Sequence, residues 1–369
     1  MEVRVPPSKS ISNRALILAL QHGGVVRHVL SCDDTDVVID SFDQLGVQYE
    51  ILEQSERWFD IKVEKGPLKS ADLFLGNAGT AVRFLLPVLA KSPGDFTMMG
   101  VERMLKRPIG DLVDALRHAG ARIDYISKEG YLPLGIVGQK LSDKCNVKAD
   151  VSSQYVSGLM LAGFDVEIIG KVVSKPYIEM TRRVIENFGD EFVVPGDASS
   201  ATYWWALNYV TDAHYEVENV SMDNLQADTQ FLQAAAALDD GDGLNGIGYH
   251  CRDFPDGAMT LAMLCAVAKG TSRLTGLSTL EYKECDRLQA LETELRKVGV
   301  EAKAFEDGIE ITGVKPSELK PAKIETYNDH RIAMCFAVLK VLQPGIEIMN
   351  PECVSKTYPT FWDEFPVSI

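Results

Sequence analysis

Six stretches of the chain place small or polar residues directly before an apolar run of helical length. This pattern is typical of an N-cap followed by a buried helix. The six starts are Lys9-Ser10-Ile11-Ser12-Asn13-Arg14, Asn77-Ala78-Gly79-Thr80, Ser152-Ser153-Gln154, Asp197-Ala198-Ser199-Ser200, Asp256-Gly257-Ala258 and Asn328-Asp329-His330-Arg331. The pattern therefore predicts six buried helices.

A second pattern is an amphipathic helix that ends on a glycine and is followed by a short β-rich stretch. Gly46, Gly120, Gly189 and Gly299 occupy the C′ position of such helices. A weaker copy covers 238–243, and no copy follows the sixth buried helix. The copies lie about 55 to 75 residues apart, which suits a compact unit of two helices and several strands. Because 369 residues exceed one ordinary core, the simplest division is two α/β domains of three units each.

Composition and charge narrow the class of protein. With 46% hydrophobic and 24% charged residues, the chain has the composition of a soluble α/β protein. The net charge of -16 argues against a nucleic-acid partner, which requires a basic surface. The seven cysteines show no CxxC or paired Cys/His spacing, so we expect no metal site and reduced thiols in a cytoplasmic protein. Neither a signal core nor a membrane-length apolar run is present, so no membrane partner is expected.

Basic residues gather at the turns and caps of this acidic chain. Helix N-termini carry unpaired N–H groups and partial positive charge, so several converging starts would form an anion site. Several cations at such positions predict recognition of more than one phosphate or carboxylate. Any one of these cations taken alone is more typical of an ordinary surface residue, and it is their repeated placement at cap positions that predicts a site. The residues are Lys9, Arg14, Arg107, Lys283, Arg287, Arg331 and Lys356.

The segment YKECDR, residues 282–287, precedes a strongly helical run. If the helix begins near Lys283, Lys283 and Arg287 are i,i+4 neighbours and Glu284 is i,i+3 to Arg287. Glu284 would then lie between two cations, and a carboxyl there can act as a proton donor beside a bound anion. The alternative is a solvated helix start with an ordinary ion pair.

Candidate acid–base residues follow from the same positions. Asp256 lies at a helix start, where ionisation is favoured, and Glu284 lies beside cations; capping or pairing is the alternative for each. His330 is a candidate proton relay or orienting residue. Cys285 lies beside cations that would lower its pKa, but covalent catalysis is disfavoured. The sequence contains no GxSxG, GxGxxG or Walker A motif, so hydrolase, dinucleotide and P-loop functions lack support.

Ten segments in order carry a family resemblance. They are PSKSISNRALILAL, LGNAGTAVRFL, RPIGDLVDALRHAGA, VSSQYVSGLMLAG, VSKPYIEMT, GDASSATYW, PDGAMTLAM, YKECDRLQALETELRKVG, TYNDHRIAM and NPECVSKTYP. From about residue 7 to about residue 362, the chain resembles the 5-enolpyruvylshikimate-3-phosphate synthases. The resemblance implies an inverse α/β barrel of two domains, each with three βαβαββ units, closing on substrate between them. It implies enolpyruvyl transfer from phosphoenolpyruvate to the 5-hydroxyl of shikimate 3-phosphate, without a metal or organic cofactor.

The resemblance also assigns site residues. As catalytic groups it implies Asp256 as proton acceptor, Glu284 as proton donor, and Lys9, Lys356 and His330. For shikimate 3-phosphate it implies Lys9, Ser10, Arg14, Ser152, Ser153, Gln154, Ser174, Tyr177, Asp256, Thr279 and Lys283. For phosphoenolpyruvate it implies Lys9, Asn77, Gly79, Thr80, Arg107, Gln154, Arg287, Asp329, Arg331 and Lys356.

The sequence departs from the family pattern at several points. It begins almost at PSKS, so we expect the usual preceding strand to be missing, and segments 163–171 and 189–196 are short, which trims the third unit. Thr279 replaces a common Asn, and Phe84 a common Pro. We expect domains at 8–196, on the shikimate 3-phosphate side, and 197–369, with 1–7 crossing to the second.

Three other functions remain open at this level. A UDP-N-acetylglucosamine enolpyruvyl transferase would share the fold, but we find no loop cysteine at the expected place after the second unit. A non-catalytic ligand-binding relative would keep the pocket without turnover. An RNA-end-processing enzyme on a related fold conflicts with the charge of -16. We expect a monomer that acts on the two small-molecule substrates.

Overall fold

The computed structural model describes residues 1–148, 152–170 and 175–367. The chain forms two compact units. The first unit is Pro7–Pro195, and the second unit combines Met1–Pro6 with Gly196–Ile369. No helix in the described residues combines the length and apolar character that a membrane crossing needs.

Polar caps and buried apolar helices build the first unit. Its strands are β2 (Gly24–Leu30), β3 (Tyr49–Gln54), β4 (Trp58–Val63), β5 (Ala71–Phe74), β6 (Gly94–Met99), β7 (Arg122–Tyr125), β8 (Leu134–Gly138), β9 (Lys144–Lys148), β10 (Asp165–Ile169) and β11 (Glu191–Val193). Its helices are α1 (Lys9–His22), α2 (Asp33–Leu45), α3 (Gly79–Lys91), α4 (Gly110–His118), α5 (Ser153–Leu161) and α6 (Lys175–Asn187). The helices α1, α3 and α5 pack against one another and carry much of the buried core.

Three sheets surround these central helices. Their strand orders are β11-β2-β4-β3, β5-β6-β8-β7 and β10-β9. In the four-stranded sheets the first pair is parallel and the remaining pairs are antiparallel. In the sheet β5-β6-β8-β7 this arrangement matches the βαβαββ unit, because α3 joins the parallel strands β5 and β6, and β7 and β8 close the sheet as an antiparallel pair. In the sheet β11-β2-β4-β3 the parallel partner of β2 comes instead from the end of the unit.

The second unit repeats this plan. Its strands are β1 (Glu2–Val3), β12 (Glu216–Val217), β13 (Gly248–His250), β14 (Thr271–Thr275), β15 (Glu301–Phe305), β16 (Gly308–Thr312), β17 (Ala322–Ile324) and β18 (Ile346–Ile348). Its helices are α7 (Ala198–Val210), α8 (Gln230–Leu238), α9 (Pro255–Val267), α10 (Arg287–Lys297), α11 (His330–Leu342) and α12 (Phe361–Glu364). The buried helices α7, α9 and α11 pack together at its centre.

The predicted two-domain α/β fold is confirmed, with one correction to its repeat. The sheets of the second unit are β13-β14-β16-β15, β17-β18 and β1-β12. Among the described residues, a closing antiparallel pair is present in three of the six sheets, whereas trimming was expected in the third repeat alone. Trimming therefore affects the fourth and sixth repeats as well as the third, which explains why the helix–glycine–strand pattern was weak at 238–243 and absent at the end.

The expected loss of the N-terminal strand was wrong. Glu2–Val3 forms β1 and pairs in parallel with Glu216–Val217. In the first unit, β11 pairs in parallel with β2 at the corresponding sheet position. Strands β1 and β11 therefore each pair with a strand that is distant in sequence. Two residues are enough for β1 because the residues after it are also held: Val5 forms backbone hydrogen bonds with the Asn219 side chain, and the Pro6 carbonyl accepts from Asp197 N.

The helix-end pattern needs one further correction. Gly46, Gly120 and Gly299 have φ of 71°, 103° and 89°, as a glycine past a helix end requires. Gly189 is not among the residues with positive φ. Helix α6 instead ends at Asn187 without a left-handed glycine, so the sequence pattern there was misread.

Four of the six buried helices have a side-chain N-cap. Ser8, Ser152, Asp197 and Asp329 accept hydrogen bonds from backbone N–H groups of α1, α5, α7 and α11. Helix α3 follows Ala78, and α9 follows Phe254 with Pro255 in its first turn, without a side-chain cap. The charge around these helix starts is therefore set by the uncapped N–H groups of α3 and α9 and by the carboxylates of Asp197 and Asp329.

Candidate active site

Arg287 is the centre of the charged cluster in the second unit. It is 1% exposed and lies at the first position of α10. Its Nε and Nη2 donate to the Asp329 carboxylate at 2.8 and 3.1 Å. Nη1 donates to Asp256 Oδ1 at 2.8 Å, and Nη2 also donates to Glu284 Oε2 at 2.9 Å. One guanidinium therefore holds three carboxylates.

These carboxylates determine the protonation of Arg287. Burial alone would lower the pKa of Arg287, but Asp329, Glu284 and Asp256 together raise it above its usual range. A buried guanidinium with this hydrogen bonding is permanently charged and fixed in orientation. The positions of the three carboxylates are consequently fixed as well.

Asp256 lies in the first turn of α9, directly after Pro255. Its Oδ2 lies 3.2 Å from Arg331 Nη2, and its Oδ1 lies 3.8 Å from Lys283 Nζ. Burial favours the protonated form, but Arg331, Lys283 and Arg287 outweigh it and hold the pKa of Asp256 well below its usual range. Asp256 is therefore an ionised carboxylate that can accept a proton.

Glu284 has a different second cation from the one the sequence predicted. Its Oε1 lies 3.3 Å from Lys356 Nζ, while Oε2 accepts from Arg287. Helix α10 begins at Arg287 with Asp286 as N-cap, so Lys283 lies before the helix. The expected placement of Lys283 and Arg287 one turn apart on one helix face was wrong, because Asp286 accepts from Gln289 N and starts the helix there.

His330 and Cys285 lie beside Asp329. His330 is 1% exposed, and its Nδ1 lies 3.8 Å from Asp329 Oδ1. The Cys285 thiol donates to Asp329 Oδ2 at 3.5 Å. Burial, together with Asp329, raises the pKa of Cys285. The expectation of a lowered thiol pKa was wrong, because burial and the negative charge of Asp329 outweigh the lowering effect of Arg287.

In the first unit, Lys9 starts α1 and forms an ion pair with Asp34. The Lys9 Nζ to Asp34 Oδ2 distance is 3.1 Å, and both side chains are largely buried. Asp34 belongs to the first turn of α2. The sequence identified Lys9 but gave no signal for Asp34, which is one of several acids in an ordinary-looking acidic helix start.

Arg14 is buried one turn into α1 and binds to neutral oxygens. Nε donates to Thr181 Oγ1 at 2.8 Å, Nη1 to the Ser10 carbonyl at 2.7 Å, and Nη2 to the Tyr177 carbonyl at 3.4 Å. Burial lowers the pKa of Arg14 to about 10. The guanidinium is still charged near neutrality and joins α1 to α6.

Gln154, in the first turn of α5, connects the N-terminal ends of helices α5 and α3. Its Nε2 donates to Thr80 Oγ1 at 3.1 Å, in the first turn of α3. Its Oε1 accepts from Arg83 Nη1 at 2.6 Å. Arg83 was not predicted, although its position one turn after Gly79 was a usable signal. These contacts place the starts of α3 and α5 side by side.

Gly79 and Arg107 are in close contact. A Cβ added at Gly79 would lie 2.5, 2.6 and 2.7 Å from Nη1, Cζ and Nη2 of Arg107. Arg107 is buried and its Nη1 donates to the Asn77 carbonyl at 3.3 Å. A side chain at position 79 would therefore displace the Arg107 guanidinium.

The remaining predicted residues are distributed over both units. Ser152 caps α5 and Ser153 is its first residue, Ser10 lies in α1, and Tyr177 lies in α6. Thr279 belongs to a 3₁₀ turn in the second unit, where its buried hydroxyl has no hydrogen-bond partner in the described residues. Ser174 lies outside the described residues. Among the described residues, no group of His, Cys, Asp and Glu side chains is arranged to hold a metal ion.

Comparison with known proteins identifies the family. The family model of EPSP synthase (3-phosphoshikimate 1-carboxyvinyltransferase) matches residues 1–192 and 189–365. The chain belongs to the EPSP synthase family. The identification from the ten motifs, and the transferase class that it implied, are confirmed.

Curated relatives of this family cover nearly the whole chain. The 3-phosphoshikimate 1-carboxyvinyltransferase of Ralstonia pickettii (strain 12J) is 39% identical over 419 residues, with 98% of this chain and 95% of the relative covered. The enzyme of the same name from Laribacter hongkongensis (strain HLHK9) is 40% identical over 412 residues, with the same coverage. The short segments of this chain therefore lie within a match that spans nearly the whole length of these relatives.

A solved structure supports the fold. The EPSP synthase from Acinetobacter baumannii matches with a TM-score of 0.78 at 24% identity, covering 100% of this chain and 96% of that chain. At this identity the likeness concerns the fold, and it agrees with the two α/β units and their buried central helices.

Proposed function

We propose that this chain transfers the enolpyruvyl group of phosphoenolpyruvate to the 5-hydroxyl of shikimate 3-phosphate and releases phosphate. The observation that carries the proposal is the binding of Asp256 and Glu284 to one buried guanidinium, that of Arg287. Addition of an alcohol to an enol double bond needs a base at the hydroxyl and an acid at the methylene carbon. Two rigidly held carboxyl groups in one cluster supply both.

In the proposed addition step, Asp256 removes the hydroxyl proton as the hydroxyl oxygen bonds to C2 of phosphoenolpyruvate. Glu284, in its protonated form, gives its proton to C3, so the double bond becomes a methyl group and a tetrahedral intermediate forms. Phosphate then leaves with the proton held by Asp256, while Glu284, now a carboxylate, takes a proton back from the methyl group, which regenerates the double bond and the protonated Glu284. Lys356, 3.3 Å from Glu284, stabilises the Glu284 carboxylate between the two steps.

Fixed cations offset the charge of the substrates. We assign Arg287, Arg331 and Lys356, together with Arg107 and Lys9, to phosphoenolpyruvate, and Lys283, Arg14 and Lys9 to shikimate 3-phosphate. Asn77, Gly79, Thr80, Gln154 and Asp329 complete the first set, and Ser10, Ser152, Ser153, Ser174, Tyr177 and Thr279 the second. We assign His330 to holding Asp329, since its ring is buried beside that carboxylate.

Phosphate release separates this function from its alternatives. The protein is incubated with phosphoenolpyruvate and either shikimate 3-phosphate or UDP-N-acetylglucosamine. Release with shikimate 3-phosphate supports the proposal, and release with the nucleotide sugar alone overturns it. Binding of shikimate 3-phosphate by calorimetry without phosphate release identifies a non-catalytic relative.

A pair of variants tests the role of Asp256. Asp256→Asn removes the proton acceptor and should lower kcat about a hundredfold or more. Asp253→Asn removes an exposed charge three residues earlier and should leave kcat unchanged. Equal kcat in both variants contradicts the assignment.

We further propose that the chain acts as a cytoplasmic monomer. All seven cysteines are free, which suits a reducing compartment. Sedimentation equilibrium tests the monomer: a mass near 40.7 kDa supports it, and twice that value overturns it.

A further inference from the structure

Asp228 is a buried carboxyl outside the residues assigned above. It is 1% exposed and lies in the 3₁₀ turn Ala227–Thr229 just before α8. In the part of the chain that the structure describes, Asp228 forms no ion pair, and its Oδ1 has no hydrogen-bond partner. An ionised carboxylate in such a place carries a large desolvation cost, which a proton on Oδ1 removes.

The Asp228 carboxyl lies directly against the start of α9. Its Oδ1 is 3.3 Å from the position that a Cβ at Gly257 would occupy, and Gly257 follows Asp256 in the chain. Gln226, two residues before Asp228, fixes the turn, because its Nε2 donates to Asp197 Oδ1 at 2.7 Å and its Oε1 accepts from Ala198 N at 3.0 Å. The position of Asp228 is therefore as well defined as that of Asp256.

Several charged and polar groups face Asp228 from the neighbouring helices. Asp197 and Ser199 face it from the start of α7, Asp256 from α9 and Arg331 from α11. The same three carboxyls, Asp197, Asp228 and Asp256, act electrostatically on Arg331, together with the Tyr203 phenol, and Asp256 Oδ2 lies 3.2 Å from its Nη2. With all three ionised, three negative charges would act on one guanidinium. Such a site would repel an arriving phosphate or carboxylate.

We propose that Asp228 is a positioning residue that carries a proton when phosphoenolpyruvate is bound, so that Arg331 keeps positive charge available for the substrate anion. This inference rests on the proposed assignment of Arg331 to phosphoenolpyruvate. The Asp197 carboxylate caps α7, and the Asp256 carboxylate is kept ionised by Arg331, Lys283 and Arg287. Asp228 is therefore the carboxyl of this group that can take up the proton.

The protonation behaviour of the free protein agrees with this role. Burial raises the pKa of Asp228 to about 7, with Asp256 and Asp197 acting in the same direction, while Arg331 and Ser199 lower it. A substrate anion at Arg331 raises the pKa further. Binding above neutral pH therefore takes up a proton, and KM for phosphoenolpyruvate should rise by up to about tenfold for each pH unit above 7.

The test compares the wild-type enzyme with Asp228→Asn, whose amide imitates the protonated carboxyl. KM and kcat are measured at saturating shikimate 3-phosphate from pH 6.5 to 8.5. We expect the variant to match the wild type at pH 6.5 and to have about a tenfold lower KM at pH 8.5, with kcat changed less than about threefold. The control Asp253→Asn should follow the wild-type profile at every pH.

Calorimetry in two buffers of different ionisation enthalpy provides a second measurement. Phosphoenolpyruvate is titrated at pH 8 into the enzyme saturated with shikimate 3-phosphate. The wild type should take up close to one proton more than Asp228→Asn on binding. Asp228→Ser takes the place of the amide variant if the latter fails to fold, and it should also remove that proton.

The outcomes separate this inference from the proposed function. Turnover with the same pH dependence of KM in wild type and Asp228→Asn overturns the role of Asp228 and leaves the function intact. A wild-type KM that does not rise above pH 7 also overturns it. Absence of phosphate release in the wild type overturns the proposed function itself.

Discussion

The two units hold their buried arginines in opposite ways. In the second unit, Arg287 binds three carboxylates, and their charge raises the pKa of Arg287. In the first unit, the described hydrogen bonds of Arg14 and Arg83 go to neutral oxygens: carbonyls, a hydroxyl and an amide. Burial without a compensating carboxylate lowers the pKa of Arg14 to about 10.

The difference indicates that buried arginines have different roles in the two units. A buried guanidinium bound to neutral oxygens keeps its full charge for a ligand, which suits a phosphate that must only be held. A guanidinium bound to carboxylates has its charge offset, and it serves to orient groups that accept or donate protons. Lys9 is the exception in the first unit, because it pairs with Asp34.

The largest expected effect concerns the carboxylates of the second unit. Glu284→Gln should lower kcat about a hundredfold to ten-thousandfold while KM for phosphoenolpyruvate changes far less, since the proton is needed mainly in the transition state. Steady-state kinetics measure this. Glu281→Gln, which changes an exposed residue of the preceding 3₁₀ turn, is the matched control and should be neutral. A large rise in KM with normal kcat would mean that Glu284 only arranges its neighbours.

Arg287→Met tests whether the second unit depends on charge compensation. Removing the guanidinium leaves three carboxylates without their shared partner, and the free energy of unfolding should fall by about 3–5 kcal/mol. Loss of the guanidinium raises the pKa values of these carboxyls in the folded variant relative to the wild type. The deficit should therefore be full at neutral pH and shrink as the pH falls towards about 4, where they become protonated.

Urea denaturation at several pH values measures this deficit. Arg296→Met, on an exposed face of the same helix, is the control and should cost less than about 1 kcal/mol. A deficit that does not depend on pH would show that Arg287 contributes by packing alone.

Gly79→Ala tests the first unit at the Arg107 contact. The new methyl group would lie at most 2.7 Å from three guanidinium atoms, so Arg107 must move. We expect KM for phosphoenolpyruvate to rise about tenfold to a hundredfold, the equivalent of one charged hydrogen bond. Gly66→Ala, where a Cβ meets nothing within 4 Å, should leave KM unchanged. An unchanged KM in Gly79→Ala would remove Arg107 from the proposed binding set.

The smallest effect is expected for Arg14→Lys. An ammonium group cannot reach Thr181, the Ser10 carbonyl and the Tyr177 carbonyl together, so one or two hydrogen bonds are lost. The free energy of unfolding should fall by about 1–2 kcal/mol, and KM for shikimate 3-phosphate should rise. Arg182→Lys, on an exposed position of α6, is the control. Full stability in Arg14→Lys would show that charge alone, without the fork geometry, suffices in this unit.

The sequence by itself determined the six buried helices, the two-domain α/β fold and the family. These features depend on local signals: capping residues, apolar periodicity and contiguous motifs. The same signals placed Lys9, Gln154, Asp256 and Arg331 at helix starts, where the structure has them. Local reasoning was wrong at Gly189 and at the start of α10, where one residue decides a helix end.

Only the tertiary structure decided the partners of the charged groups. Arg287 and Asp329 are 42 positions apart in the chain, and Gln154 and Arg83 are 71 apart. Lys356, which the sequence did not place beside Glu284, forms an ion pair with it at 3.3 Å. Asp34, Asp228 and the β1–β12 pair had no sequence signal of their own. Charge pairing depends on distances between side chains that the packing of three helices sets, and a linear pattern contains no such distances.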